Sequence, residues 1–110
     1  MSAEAPEVRW IDIVEVARMI RRHLRAQFPG VTFSVHSTRN VGGDYIDVSW
    51  QGGPSKSDVD AVLQLYDGND KDVLDNLILR QAYILNGRAV ASPEGAEAVW
   101  FDCSVFSCRR

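Results

Sequence analysis

Apolar residues at Ile13, Val16, Ala17, Ile20 and Leu24 recur at the three-and-four spacing that lines one face of a helix. Asp12 and Glu15 precede that stripe as a D-x-x-E variant of the capping box, so the helix is predicted to start at Asp12. Arg18, Arg21, Arg22 and Arg25 lie largely off the stripe, toward the C-terminal end where cations suit the helix dipole. "FPG" at 28–30 stops the helix, because proline disfavours helical geometry in the residue before it. The period then changes to two. In "VTFSVH", Val31, Phe33 and Val35 alternate with Thr32, Ser34 and His36, and in "YIDVSW", Ile46, Val48 and Trp50 alternate with Tyr45, Asp47 and Ser49. The short polar link between these runs predicts an antiparallel hairpin.

"GGPS" leads into a second helix capped by Ser55 or Ser57, with Asp58 or Asp60 as the third-position acid. Val59, Val62, Leu63 and Tyr66 form its apolar face, and Gly68 is the expected stop. "NDKDVLDN" is expected to be a loop or a short helical turn. Beyond it, Asn86-Gly87 signals a hairpin turn, while a helix through residues 74 to 83 is an alternative. "SPEG" makes a further turn. "AVWFDCSVF" is the expected last strand, with Val99, Phe101, Cys103 and Val105 on one face and Trp100, Asp102, Ser104 and Phe106 on the other.

These elements predict an α+β fold: two helices packed on one face of an antiparallel sheet of three to five strands. Residues 1–11 are expected to be a flexible N-terminal tail and 12–110 a single domain, as the length of 110 residues allows. Hydrophobic residues make up 45% and charged residues 25%, which places the chain among globular domains. With no apolar run long enough for a membrane span and no signal peptide in "MSAEAPE", the expected location is cytoplasmic, without membrane contact.

The net charge is −3 and unevenly spread. Residues 44–75 carry eight Asp against Lys56 and Lys71, a local −6; residues 1–43 sum to +2 and residues 76–110 to +1. General nucleic-acid binding needs a basic face that releases counterions, so this balance disfavours it. Cys103 and Cys108 match neither a zinc nor a CxxC redox spacing, and their odd separation puts them on opposite strand faces. They are expected to be reduced structural thiols.

The candidate reaction motifs fail on spacing. Neither Gly42-Gly43 nor Gly52-Gly53 has the Lys-Ser/Thr of a Walker loop, and GxGxxG is absent. Gly52-Gly53-Pro54-Ser55 could present free N–H groups to an anion at a helix start, but glycine for turn geometry and serine as cap account for it. A calcium loop from Asp67 would need its fifth, sixth and twelfth positions filled differently from Lys71, Asp72 and Ile78. A His36–Cys103 dyad is disfavoured because the two alternate to opposite faces. His23, among arginines, is expected to be solvated. No metal, cofactor or catalytic set is assigned.

The remaining candidates form a recognition surface. If both helices cover one sheet face, the other presents Thr32, Ser34, His36, Tyr45, Asp47, Ser49, Trp100 and Phe106, and aromatics among small polar groups suit partner recognition. The alternative is that the 74 to 91 segment or a second subunit covers them. The arginine row divides the same way, between a solvated helix face and a contact for an acidic partner.

"IRRHLRAQFPGVTFSVHS", "DYIDVSWQGGPS" and "FDCSVFSCRR" together resemble the large polyvalent protein-associated domain, family twenty-nine. The likeness rests on a basic helix, FPG-x-x-FSV, and V-S-W followed by GP; it is close over residues 12 to 72 and looser in the last strand. The resemblance implies a setting in phages and conjugative elements, where such domains are thought to accompany incoming DNA and to help against host defences. It implies no catalytic residues. The function expected is that of a non-enzymatic binding protein of a phage or mobile element, engaging a host protein and plausibly inhibiting a defence system. Tyr45, Asp47, Trp100, Phe106, Arg18, Arg22 and Arg25 are the expected partner-binding residues, and a homo-oligomer is compatible. The alternatives are a nucleic-acid or nucleotide-binding module using Arg18, Arg22, Arg25 and Arg39, and an enzyme with a site at His36, Asp47 or Cys103.

Overall fold

The computed structural model describes residues 8–71, 73–74, 76–101 and 103–110. The expected tail over residues 1–7, the outward placement of Asp102 and part of the 69–76 loop lie outside the described residues.

The fold is α+β. In chain order the elements are β1 (Arg9–Ile11), α1 (Ile13–Gln27), β2 (Ser34–Thr38), β3 (Tyr45–Trp50), α2 (Lys56–Leu63), β4 (Asn69–Lys71), β5 (Leu77–Leu79), β6 (Gln81–Leu85), β7 (Arg88–Val90), β8 (Glu97–Phe101) and β9 (Ser104–Arg109). Instead of one antiparallel sheet there are two mixed ones, β1-β8-β6-β7 and β2-β3-β9, plus the two-stranded pair β4-β5. β1 runs parallel to β8 and β9 parallel to β3; the remaining pairs are antiparallel. The parallel pairs join segments far apart in sequence, β1 with β8 and β3 with β9, which local alternation cannot report.

Both helices start where their caps place them. Asp12 accepts from Val14 N at 3.1 Å, and its other oxygen takes Arg39 Nη2 at 2.8 Å. Glu15 is paired with Arg18 at 2.8 Å, so the carboxylate of the expected capping box is turned to the helix surface. Ser55 Oγ accepts from Asp58 N at 3.2 Å and caps α2. The α1 stripe is buried as expected, and Met19 and His23 are buried with it. α1 packs against β2 and β3 of the three-stranded sheet and against β7 of the other, while α2 packs against β9. One helix therefore bridges both sheets, which corrects the expectation of two helices on a single face. The core is one cluster drawn from α1, α2 and the inner faces of both sheets, with Tyr66, Phe101, Ile20 and Leu24 among its fully buried members. Each such side chain contributes about 1.5–3 kcal/mol by leaving water.

Three segments depart from the alternation. Arg9–Ile11, expected in the tail, is a strand: Ile11 is buried, and Arg9 makes a two-point contact with Glu97 of β8 at 3.0 and 2.8 Å. Residues 77–79 and 81–85 are strands rather than the alternative helix, and β6-β7 turns at Asn86 and Gly87, whose φ values of 56° and 76° suit a type I′ hairpin. The expected last strand is two strands, β8 in one sheet and β9 in the other.

That change of sheet is held by "DGN" at 67–69. Gly68 N donates to Cys103 O at 2.9 Å, and Gly68 O accepts from Arg80 N at 2.9 Å. Asp67 accepts from Val105 N at 3.2 Å and from Asn69 N at 2.9 Å, and Asn69 Nδ2 donates to Ser104 Oγ at 2.9 Å. Arg80 closes the knot by donating to the carbonyls of Gln64 and Asp67. Gly68 thus has a structural task other than the expected helix stop; α2 ends earlier, at Leu63, with Gln64 as its C-cap.

Candidate binding surfaces

The register of the three-stranded sheet sorts its side chains. Asp47 pairs with His36 on one side and Phe106 on the other, and Tyr45 pairs with Thr38 and Ser104. Paired residues share a face, so His36, Asp47 and Phe106 stand together on the outer side, opposite Val35, Ile46, Val48 and Trp50 in the core. The Tyr45 and Phe106 rings meet edge to face at 6.1 Å, and Phe106 is 56% exposed. Three of the expected partner-binding residues, Tyr45, Asp47 and Phe106, are therefore brought together.

Trp100 is not with them. It lies in β8, in the other sheet, beside Trp10 of β1, with ring centroids 5.9 Å apart and planes inclined at 32°. The period-two pattern runs unbroken from Val99 to Val105, so the strand break between Trp100 and Phe106 leaves no trace in it. Trp10 is 52% exposed and pairs across Trp100 with Gln81. The same outer face carries Tyr83, paired with Ala98 and Val90, and Leu85. None of Trp10, Trp100, Tyr83, Val90 or Ala98 belongs to the core cluster or packs against it. This aromatic face was missed in the sequence because Trp10 was assigned to a tail and Tyr83 to an ambiguous apolar run. The apolar residues Val8, Trp10 and Ile11 just before the Asp12 cap were the available signal.

The arginine row separates by role. Arg18 is engaged with Glu15, and Arg21 donates to Val35 O at 2.6 Å, fastening α1 to β2. Arg25 joins Arg21 in a shallow recess beside Val31, Thr32 and Phe33. Arg22 faces the β6-β7 turn, lining hollows formed with Asn86 and Gly87. Arg39 is engaged with Asp12.

His23 is the clearest correction among single residues. It is 8% exposed, and its Nδ1 lies 2.7 Å from Tyr66 Oη. Tyr66 is fully buried and accepts from Ala89 N at 3.1 Å; among the described residues His23 Nδ1 is the acceptor its hydroxyl can reach, and donating there leaves no buried O–H unpaired. The imidazole is therefore the Nε2–H tautomer. Burial first, and then the nearby Arg88 charge, hold the His23 pKa below its ordinary value; burial raises that of Tyr66. Cys103 is buried and Cys108 exposed, with no disulfide between them. Among the described residues no group of three or more His, Cys, Asp and Glu side chains could hold a metal ion, and no helix is long and apolar enough to cross a membrane.

Residues 11–110 match the family described as Large polyvalent protein associated domain 29, nearly the whole chain, and the protein belongs to that family. No curated protein and no solved structure matches it.

Proposed function

We propose that this domain is a protein-binding module of a phage or other mobile genetic element, and that its partner docks on the outer face of β1-β8-β6-β7. The observation that supports this reading is the half-exposed Trp10 against the partly buried Trp100, continued by Tyr83, Val90, Ala98 and Leu85 outside the core. Aromatic anchors of this kind dominate protein interfaces, because they bury much area at little cost in side-chain entropy. Family membership supports the setting, a domain associated with large polyvalent proteins. Within that setting the partner is a host protein, and occupying it serves as counter-defence. Tyr45, Asp47 and Phe106 form a second, smaller contact on the other sheet.

The test is affinity capture and cross-linking from host cells with the wild type, Trp10→Ser, Tyr83→Ser and Phe106→Ser. A single host protein is expected to be retained by the wild type, lost with Trp10→Ser or Tyr83→Ser, and weakened with Phe106→Ser. A partner retained equally by all four, or by none, would refute this assignment of the face.

A further inference from the structure

Beside the β6-β7 turn lies a cavity of about 180 Å³, lined by Met19, Arg22 and His23 of α1 and by Asn86, Gly87 and Arg88. His23 is the buried wall. Its Nδ1 is committed to Tyr66, and its Nε2–H has no protein partner yet is not sealed from solvent. Arg22 Nη2 lies 3.8 Å from where a Cβ would sit on Gly87, which places that guanidinium over the turn. The Arg88 charge is close enough to act on both His23 and Tyr66. Neither the Arg22 nor the Arg88 side chain forms an ion pair or hydrogen bond among the described residues. Glu15 and Glu97, which border the adjoining hollow, are already paired with Arg18 and Arg9.

Two exposed guanidiniums with no acidic partner and a buried imidazole line one small cavity, a donor set complementary to an anion. We propose that this cavity binds the terminal phosphate of a small phosphorylated molecule, with Arg22 and Arg88 supplying charge and His23 Nε2–H a fixed donor. Guanidinium forks match phosphate oxygens, and two of them suit a dianion better than a single carboxylate. The tautomer lock is the specific element: Tyr66 keeps Nδ1 as an acceptor, so the Nε2 proton is present without protonating the ring. This site is independent of the protein-docking face, since none of Trp10, Trp100 or Tyr83 lines it.

The experiment is a titration of the full chain with inorganic phosphate at constant ionic strength, following the histidine ring resonances by NMR. A saturable shift of His23 with His36 unmoved is expected. The surface variants Arg22→Gln and Arg88→Gln should each weaken binding about tenfold or more, the range for loss of a charge-assisted hydrogen bond. Arg25→Gln, on the same helix but outside the cavity, should bind like the wild type. The proposal is overturned by a non-saturating shift, by unchanged binding in both cavity variants, by an equal loss in Arg25→Gln, or by acetate binding as tightly as phosphate.

Discussion

Gly68→Ala tests the crossing between the two sheets. A Cβ at this position would sit 1.4 Å from Phe101 O and 2.6 Å from its carbonyl carbon, with Cys103 O at 3.3 Å. The obstruction is backbone, so no side chain can swing aside. To open the contact from 1.4 Å to the 3.0 Å limit of real Cβ contacts, the end of β8 must retreat by about 1.6 Å. Phe101 is fully buried and stacked on Tyr66 at 5.7 Å, so that retreat disturbs the centre of the core. Overpacking of this kind costs about 1–3 kcal/mol, and a buried backbone group left unpaired costs about 1–3 more. The bond from Gly68 N to Cys103 O is the one most directly strained by the movement. A loss of about 2–6 kcal/mol is therefore expected, against a total stability on the order of 5–15 kcal/mol for a domain of this kind. Urea unfolding followed by the fluorescence of buried Trp50 measures it, with Gly42→Ala as the control. A Cβ on Gly42 meets nothing within 4 Å, so its effect should stay within about 0.5 kcal/mol. Equal midpoints for the two variants would refute the account of the crossing.

Two further outcomes concern the buried pair. Tyr66→Phe removes the hydroxyl that joins His23 Nδ1 to Ala89 N, leaving a buried acceptor and a buried donor unpaired, at a cost of about 1–3 kcal/mol by urea denaturation; wild-type stability in this variant would contradict the bond assignment. Because His23 in the folded state has a pKa below the ordinary value of 6.5, the unfolded chain takes up the proton first as pH falls. Its contribution to stability is fully present above pH 6.5 and is lost as pH falls toward the lowered folded value. Urea midpoints measured above and below pH 6.5 should show this slope, and His23→Gln should flatten it. A slope unchanged in that variant would mean that another group carries it.

Much of the local structure was legible because short-range chemistry decides it. The Asp12 and Ser55 caps, the α1 stripe, the β2-β3 hairpin and the Asn86-Gly87 turn each follow from residues within a few positions of one another. His23 was misread for the same reason: its arginine neighbours are adjacent in sequence, whereas Tyr66, the residue that matters to it, is forty-three positions away. The expected recognition residues were assembled on one face, whereas the structure divides them between two sheets.

By itself, the sequence determined the α+β composition, the start of each helix, the core-facing residues of β2, β3 and β8, and the family signature in FPG-x-x-FSV and VSW-x-x-GP. Only the tertiary structure decided that Arg9–Ile11 pairs in parallel with β8, that α1 is shared by two sheets, and that the chain after Phe101 changes sheet beside Gly68. The physical reason is one of range. Alternation and capping record which side of each residue is dry, but a residue keeps the same pattern whichever sheet it joins. The choice between sheets depends on a backbone contact at Gly68, where the useful property is the absence of a side chain.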